Sequence, residues 1–270
     1  EATSRRPNVL IIMWHDLGDY LGCYGITPSP SPNIDRLAEE GTRLDNYFCS
    51  YPVCCPSRAG MMTGLIPHAN GMSGQVNRGW DMSHELTPMP RVLKDAGYKT
   101  YMTSFTHESA DSVWEGYDEI SGVKDADKPA YANSVYARHA ESPEPFLLSV
   151  NTQAVHRPFM DDHDEELAGT MAVPPWMPDD PCTRADIACF HRYVRESDAQ
   201  VGQILESLDK HGLADSTLVI FTTDHGMPFA RAKHTLFDPG LKIAFAARWP
   251  GVIRRGWACN ELLSNLDFMP

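Results

Sequence analysis

"NVLIIMW", residues 8–14, is a short continuous apolar run with β-branched side chains, and "HDLGD" (15–19) follows it at once. A strand with one wet face alternates apolar and polar residues, whereas an unbroken run suits a strand covered on both faces, as in a parallel sheet. Working outward, "SPNIDRLAEEG" (31–41) reads as a helix. Ser31 is placed to cap, Pro32 suits the first turn, Ile34, Leu37 and Ala38 form a stripe, and Gly41 can end it. "PMPRVLKDAGYKTYMTS" (88–104) repeats the pattern as helix, Gly97 stop and strand. "PFLLSVNT" (145–152), "STLVIFTTD" (216–224) and "KIAFAARWPG" (242–251) read as further strands, and 184–212 as the longest helix. Alternation of strand and helix along residues 1–270 predicts an α/β fold, a mainly parallel or mixed sheet flanked by helices on both faces. The polar segment 121–142 reads as an insertion and 157–182, with "DDHDEE", as a long loop. "LLSNLDFMP" (262–270) reads as a helix-like run that is cut off, with the natural protein expected to continue.

The 270 residues, 42% hydrophobic, suffice for one large core or two small ones. The net charge of −13 argues against nucleic acid as a partner, because basic residues cluster only as pairs at 5–6 and 254–255. An anionic substrate then needs a locally positive site made by a metal ion or a few chosen side chains. There is no run of eighteen apolar residues, so no membrane span is expected. "EATSRRPNVL" shows no signal peptide and reads as a mature or trimmed start. The seven cysteines are odd in number, and none has zinc-finger spacing.

Chemistry concentrates just past the strand ends, where open parallel sheets bind ligands. "HDLGD" follows the first strand, "SFTHE" (104–108) the second, "NTQAVHRP" (151–158) the third and "TDHG" (223–226) the fourth. Asp16 and Asp224, with His15 and His225, make a divalent cation site; carboxylates favour Ca²⁺, Mg²⁺ or Mn²⁺, and imidazole pulls toward Mn²⁺ or Zn²⁺. Taken singly, each aspartate reads more readily as a helix or turn cap than as a ligand; taken together at one edge, they read as ligands. Cys54 stands at the start of a helix-like run, where backbone N–H groups favour a thiolate, and Arg58 follows one turn later. The alternative for Cys54 and Cys55 is packing as small buried hydrophobes.

Cys54-Cys55-Pro56-Ser57-Arg58, followed by Met62-Thr63-Gly64, resembles the sulfatase signature of Cys, any residue, Pro, Ser, Arg and a later Thr-Gly. The resemblance extends through "PNVLIIMWHDLGDYLGCYG" (7–25), "SPNIDRLAEEGTRLDNYF" (31–48), "AGYKT" (96–100), "HRP" (156–158), "TTDHG" (222–226) and "KHTLFDPGLKIAFAARWPG" (233–251), nearly the whole chain. It implies an alkaline-phosphatase-like α/β fold without its smaller C-terminal subdomain. It also implies a formylglycine made from Cys54 by a formylglycine-generating maturation enzyme, and a divalent cation, Ca²⁺ first and Mn²⁺ or Mg²⁺ next. Matched residue by residue, Asp16, Asp224 and Cys54 fall on metal-binding positions. His225 stands where the family has Asn or, in phosphonate hydrolase relatives, His. Arg58 and His107 match residues that hold the formylglycine hydrate, and His156 and Lys233 match groups that bind sulfate and assist the leaving oxygen.

Two positions depart from the family pattern: His15 replaces the usual Asp, leaving it a ligand or a support for one, and Phe105 replaces a usual Lys. His68 matches a family position or closes a turn, while His84, His139, His163, His191 and His211 read as surface or structural. The implied reaction is hydrolysis of a sulfate ester or sulfamate, on a sulfated saccharide as in heparan N-sulfatase-like members, in an extracellular or periplasmic setting. Three rivals remain: a phosphonate or phosphodiester hydrolase on the same scaffold, a non-catalytic binder of sulfated glycans, and a metal phosphatase with a structural Cys54.

Overall fold

The computed structural model describes residues 6–104, 106–159 and 164–269. Its strands are β1 (Asn8–Trp14), β2 (Thr42–Phe48), β3 (Lys99–Thr103), β4 (Glu119–Ser121), β5 (Phe146–Thr152), β6 (Thr217–Thr223), β7 (Phe245–Arg248) and β8 (Trp257–Ser264). The α-helices are α1 (Pro32–Glu40), α2 (Cys54–Thr63), α3 (Pro67–Asn70), α4 (Met89–Asp95), α5 (Lys128–His139), α6 (Glu165–Thr170), α7 (Pro181–Lys210) and α8 (Asp238–Leu241). One sheet takes all eight strands in the order β4-β3-β5-β1-β6-β7-β2-β8. β1 lies parallel between β5 and β6, with Trp14 level with Thr152 and Thr223, and β7 runs antiparallel to β6 and β2.

The unbroken apolar runs have the predicted cause. Leu10, Ile12 and Trp14 face a core shared with Phe146, Leu148 and Val150 of β5 and with α1, α5 and α7. Ile11 and Met13 face the other way, onto Met61 and Met62 of α2, with Met89 and Leu93 of α4 packed against them. Helices therefore cover both faces. Each large apolar side chain fully buried in this way contributes about 1.5–3 kcal/mol.

Four local readings are corrected. The segment 121–142, read as a polar insertion, carries α5, which buries Ala132, Val135, Tyr136 and His139, a helical spacing hidden by its exposed polar face. The stretch 157–182 contains α6, capped by Asp164, and the start of α7, where Asp180 accepts a hydrogen bond from Thr183 N and Pro181 occupies the first turn. Residues 160–163 of that stretch, His163 among them, lie outside the described residues. Residues 262–264 belong to β8, and a 3-10 turn follows over Asn265–Phe268, closed by reciprocal capping between Ser264 and Asp267. Pro270 lies outside the described residues. The last predicted strand shortens to Phe245–Arg248 and runs against its neighbours. All seven cysteines are free thiols. Among the described residues, no helix is long and apolar enough to cross a membrane.

Candidate active site

Because β1 and β6 are paired in parallel and in register, residues 15–16 and 224–225 leave the sheet side by side. Two short ties keep them there. Gly18, at φ 62°, donates its N–H to the His225 carbonyl at 2.8 Å. Its own carbonyl accepts from Thr223 Oγ1 at 2.9 Å and Ala244 N at 3.0 Å. Asp16 is itself left-handed, at φ 52°, a conformation aspartate tolerates better than most residues. That turn points its N–H at Asp224 Oδ1, 3.0 Å away.

Asp224 is the hub. Its Oδ1 also accepts from His225 N at 2.9 Å, and its Oδ2 lies 3.1 Å from both Arg58 Nε and His15 Nδ1. Burial pushes its carboxyl up, but the charges of His225, His15 and Arg58 outweigh that and hold it well below the usual carboxylate range. Asp16 behaves alike: burial raises it, the His225 hydrogen bond lowers it further, and it stays ionised. Burial disfavours charge on His225, yet Asp224 and Asp16 raise it to about 10. His225 Nε2 lies 3.1 Å from Asp16 Oδ1.

Cys54 is the first residue of α2, so its thiol sits at a helix N-terminus. Burial alone would raise it; hydrogen bonds from His107, His15 and His225 bring it down to about 3. Cys55 is turned elsewhere, its Sγ 2.6 Å from Gln75 Oε1, in a small cluster with Ala59, Met72 and Met82. It is therefore a packing residue. α2 is locked from below. Ser57 Oγ donates to the Asp224 carbonyl at 2.5 Å, while Asn265 Nδ2 donates to Ser57 O at 3.0 Å and Oγ at 2.9 Å. Arg58 is wholly buried, with Nη1 3.3 Å from Asn151 Oδ1 and 3.7 Å from Glu108 Oε1. Its permanent charge is thus shared among Asp224, Asn151 and Glu108.

The remaining side chains come from loops. Glu108 Oε2 accepts from His107 N at 2.6 Å, and the His107 ring meets that of His15 edge-on at 4.7 Å. Lys233 Nζ lies 2.7 Å from Asp16 Oδ2 and 3.4 Å from His156 Nε2. Burial opposes its charge, but Asp16 and Cys54 raise its pKa. His156 Nδ1 donates to the Arg157 carbonyl, a pure acceptor, at 2.5 Å, which fixes Nε2 as the nitrogen facing Lys233. His234 N donates to the Pro52 carbonyl at 3.0 Å and ties the Lys233 loop to the segment before Cys54. Beside this cluster, Ser104, Lys124, Asp125 and Gln153 line a polar cleft of about 350 Å³.

All the predicted residues, His15, Asp16, Cys54, Arg58, His107, His156, Asp224, His225 and Lys233, therefore meet at one edge of the sheet. Phe105 lies outside the described residues, and His68 is exposed on α3. Four other histidines have structural partners: His139 meets Tyr101 Oη at 2.9 Å, His191 meets Tyr20 Oη at 3.5 Å, His84 stacks on Trp114 and His211 contacts Asn133 at 3.0 Å. Four supporting residues were not singled out from sequence: Asn151, Glu108, Asn265 and Lys128, whose ammonium donates to Asp125 and to the Asn151 carbonyl. The first two stand inside strand-end clusters and could have been suspected there. Asn265 and Lys128 carry no local signal.

The donor set fits a divalent cation. Donor atoms of His15, Asp16, Cys54 and Asp224 lie within 4.8 Å of one another, all buried. Asp16 Oδ1 faces the His225 ring nitrogen at 3.1 Å, and its Oδ2 faces Lys233. Two buried carboxylates are thus balanced by neighbouring cations, a task a metal ion performs well.

Fold and site together define an alkaline-phosphatase-like α/β protein with a buried, metal-compatible edge site. The sequence model of the Sulfatase family matches residues 7–270, and the chain belongs to that family. An ulvan-active sulfatase of Formosa agariphila is 28% identical over 100% of this chain and 54% of its own length. The human N-sulphoglucosamine sulphohydrolase is 28% identical over 99% of this chain and 60% of its own. The chain thus spans little more than half the length of these relatives. The solved structure of Ps i-CgsB in complex with k-i-k-neocarrahexaose superposes with a TM-score of 0.78 at 20% identity, over 98% of this chain and 70% of that one.

Proposed function

We propose that this chain is the catalytic part of a sulfatase that hydrolyses a sulfate ester or sulfamate on a sulfated saccharide. The observation that carries the reading is the meeting of Cys54 with four buried ligand-type side chains and with two cations, Arg58 and Lys233. The names of the two relatives, one acting on ulvan and one on N-sulphoglucosamine, support a saccharide.

Asp16, Asp224, His15 and His225 would hold the cation, with Ca²⁺ the first candidate and Mn²⁺ or Mg²⁺ next. When bound, it supplies charge to the sulfuryl oxygens and lowers the pKa of a coordinated hydroxyl. Formylglycine at position 54 would supply a hydrated aldehyde, one hydroxyl as a nucleophile and the other to permit release of sulfate.

The chain's own residues do the rest. Arg58, unable to move between Asp224, Asn151 and Glu108, presents a fixed positive field to the sulfuryl group, the preorganised kind that costs no rearrangement during reaction. Lys233 and His156 form a hydrogen-bonded pair at the mouth, where His156 is about a third exposed. Lys233 binds a sulfuryl oxygen, and His156, after taking a proton from solvent at Nε2, delivers that proton to the leaving oxygen or nitrogen. The cleft lined by Ser104, Lys124, Asp125 and Gln153 offers hydrogen bonds suited to sugar hydroxyls.

The test begins with mass spectrometry of the tryptic peptide 44–58 from protein made together with a formylglycine-generating enzyme. Thiol-to-aldehyde conversion at Cys54, followed by sulfate release from N- or O-sulfated sugars, is the expected result. An unmodified thiol, with the maturation enzyme active on a control peptide, removes the nucleophile and the proposal with it. One observation favours a second reading: His225 after Asp224 is the arrangement that resembles phosphonate hydrolases. A matched pair of aryl sulfate and aryl phosphonate separates the two, and faster phosphonate turnover selects the second.

A further inference from the structure

We infer that the chain bearing Cys54 as an unmodified thiol is a zinc site, with Cys54 Sγ and one ring nitrogen each of His15 and His107 as its ligands. This inference stands apart from the sulfatase reading and concerns a different state of the same residue.

The three donor atoms come from three elements, the end of β1, the start of α2 and the loop after β3, and lie within 4.8 Å of one another. Zinc bonds sulfur at about 2.3 Å and imidazole at about 2.0–2.1 Å, which places neighbouring ligands roughly 3.3–3.6 Å apart. Closing the observed triangle therefore needs an inward shift of about an ångström at most, within reach of the His107 loop. Three protein ligands with one open position is a usual count for zinc sites that also bind a small molecule.

The surroundings match. His15 Nδ1 lies 3.1 Å from Asp224 Oδ2, so the ion is assigned to Nε2, where it would replace that nitrogen's present contacts. A carboxylate behind a ligating imidazole fixes its tautomer and strengthens it as a donor. Glu108 holds the His107 backbone N–H at 2.6 Å, and Gln75 Nε2 reaches Cys54 Sγ at 3.7 Å. One thiolate and two imidazoles form a borderline-soft set that prefers zinc to calcium or magnesium, both of which favour oxygen. On binding, the Cys54 thiolate and the two neutral imidazoles each give a lone pair to zinc, the protons that joined ring nitrogens to the sulfur leave to solvent, and no electron moves. Conversion of Cys54 to formylglycine removes the sulfur, and with it the soft site. The fold would then hold zinc before modification and an oxygen-ligated ion after it.

The experiment uses the whole chain made without a maturation enzyme, its Cys54 thiol confirmed by mass and its metals stripped with a chelator. Zinc is titrated by competition with a chromophoric chelator, and Co²⁺ is added separately as an optical probe. The expected result is a single zinc, not displaced by excess calcium, and a near-ultraviolet sulfur-to-cobalt charge-transfer band. Cys54→Ser should abolish the band. Cys54→Ser and His107→Ala should each weaken zinc binding by more than about 100-fold, beyond the effect of losing an outer-shell partner. Zinc should also protect Cys54 from alkylation by iodoacetamide. Near-ultraviolet circular dichroism checks that both variants fold. A Co²⁺ spectrum without the sulfur band, or wild-type zinc affinity in either folded variant, overturns the inference. No sulfate is measured, so that failure would leave the sulfatase reading intact.

Discussion

Arg58 is a charge with nowhere to go. Its guanidinium is wholly buried and survives there because Asp224, Asn151 and Glu108 surround it. Removing one partner of such a group leaves the others uncompensated, which costs several kcal/mol. The consequence for chemistry lies one step outward, at Lys233 and His156. His156→Ala should slow hydrolysis of sulfate esters with poor leaving groups by roughly 10²–10⁴-fold and activated aryl sulfates far less. Equal losses on both, measured as kcat across a leaving-group series, would remove His156 as the proton donor. Glu115 offers a second residue-scale test. It is buried, its Oε1 lacks a hydrogen bond, and burial first, then the charge of Glu108, raises its pKa well above 4.5. The folded state thus binds this proton more tightly than the unfolded one, so stability is highest below the unfolded value and falls as pH rises through the folded one. Each unit of that shift costs about 1.4 kcal/mol above both values. Glu115→Gln should therefore raise the Tm at pH 8 and flatten its decline between pH 5 and pH 8; an unchanged profile would show that Glu115 ionises in the fold at no cost. Asp16 and Asp224 were legible because each stands just past a strand end where chemistry collects, and Cys54 through the Pro-Ser-Arg string that follows it. Glu115 and Lys128 were not, since nothing in their neighbours along the chain announces that a charged residue will be buried.

At the scale of elements, α2 is the part that must not move. Its N-terminus carries Cys54, and its underside is held by Asn265, which donates twice to Ser57 and accepts from Ser50 N at 2.8 Å. Asn265→Ala leaves buried partners unsatisfied, at about 1–3 kcal/mol, and should lower the Tm by roughly 3–10 °C. If the Tm is unchanged by differential scanning calorimetry, the clamp on α2 lies elsewhere. Element legibility followed the same logic of locality. β1, β5, β6 and α1 were readable from their own apolar spacing, and their bounds fall within a residue or two of expectation. β7 was found, but its reversed direction was not, because strand direction is decided by partners far along the chain. β2 was missed because "TRLDNYF" is mostly half-buried and shows no unbroken apolar run. The 262–270 run looked helical, yet Leu262 and Leu263 join β8, where pairing with β2 outweighs local preference.

For the molecule as a whole, the sheet explains why distant residues share one site. Seven strands lie beside parallel neighbours or across β7 from them, so their carboxyl ends gather at one edge. That edge sits on a chain of net charge −13. The two permanent cations of the site are already engaged, Arg58 with Asp224 and Lys233 with Asp16, so their fields are short-ranged dipoles rather than beacons. Ionic strength then acts in an unusual direction. Raising salt from about 0.01 M to 0.15 M shortens the screening length from about 30 Å to about 8 Å, which mutes the surface and leaves contacts inside the pocket intact. For the matured enzyme and a small aryl sulfate, kcat/KM should rise over that range instead of falling as it does for electrostatically steered pairs. A fall would mean that the pocket's positive charge reaches into solvent after all. Paired cations thus make this a site that an anion finds by collision and recognises only on arrival.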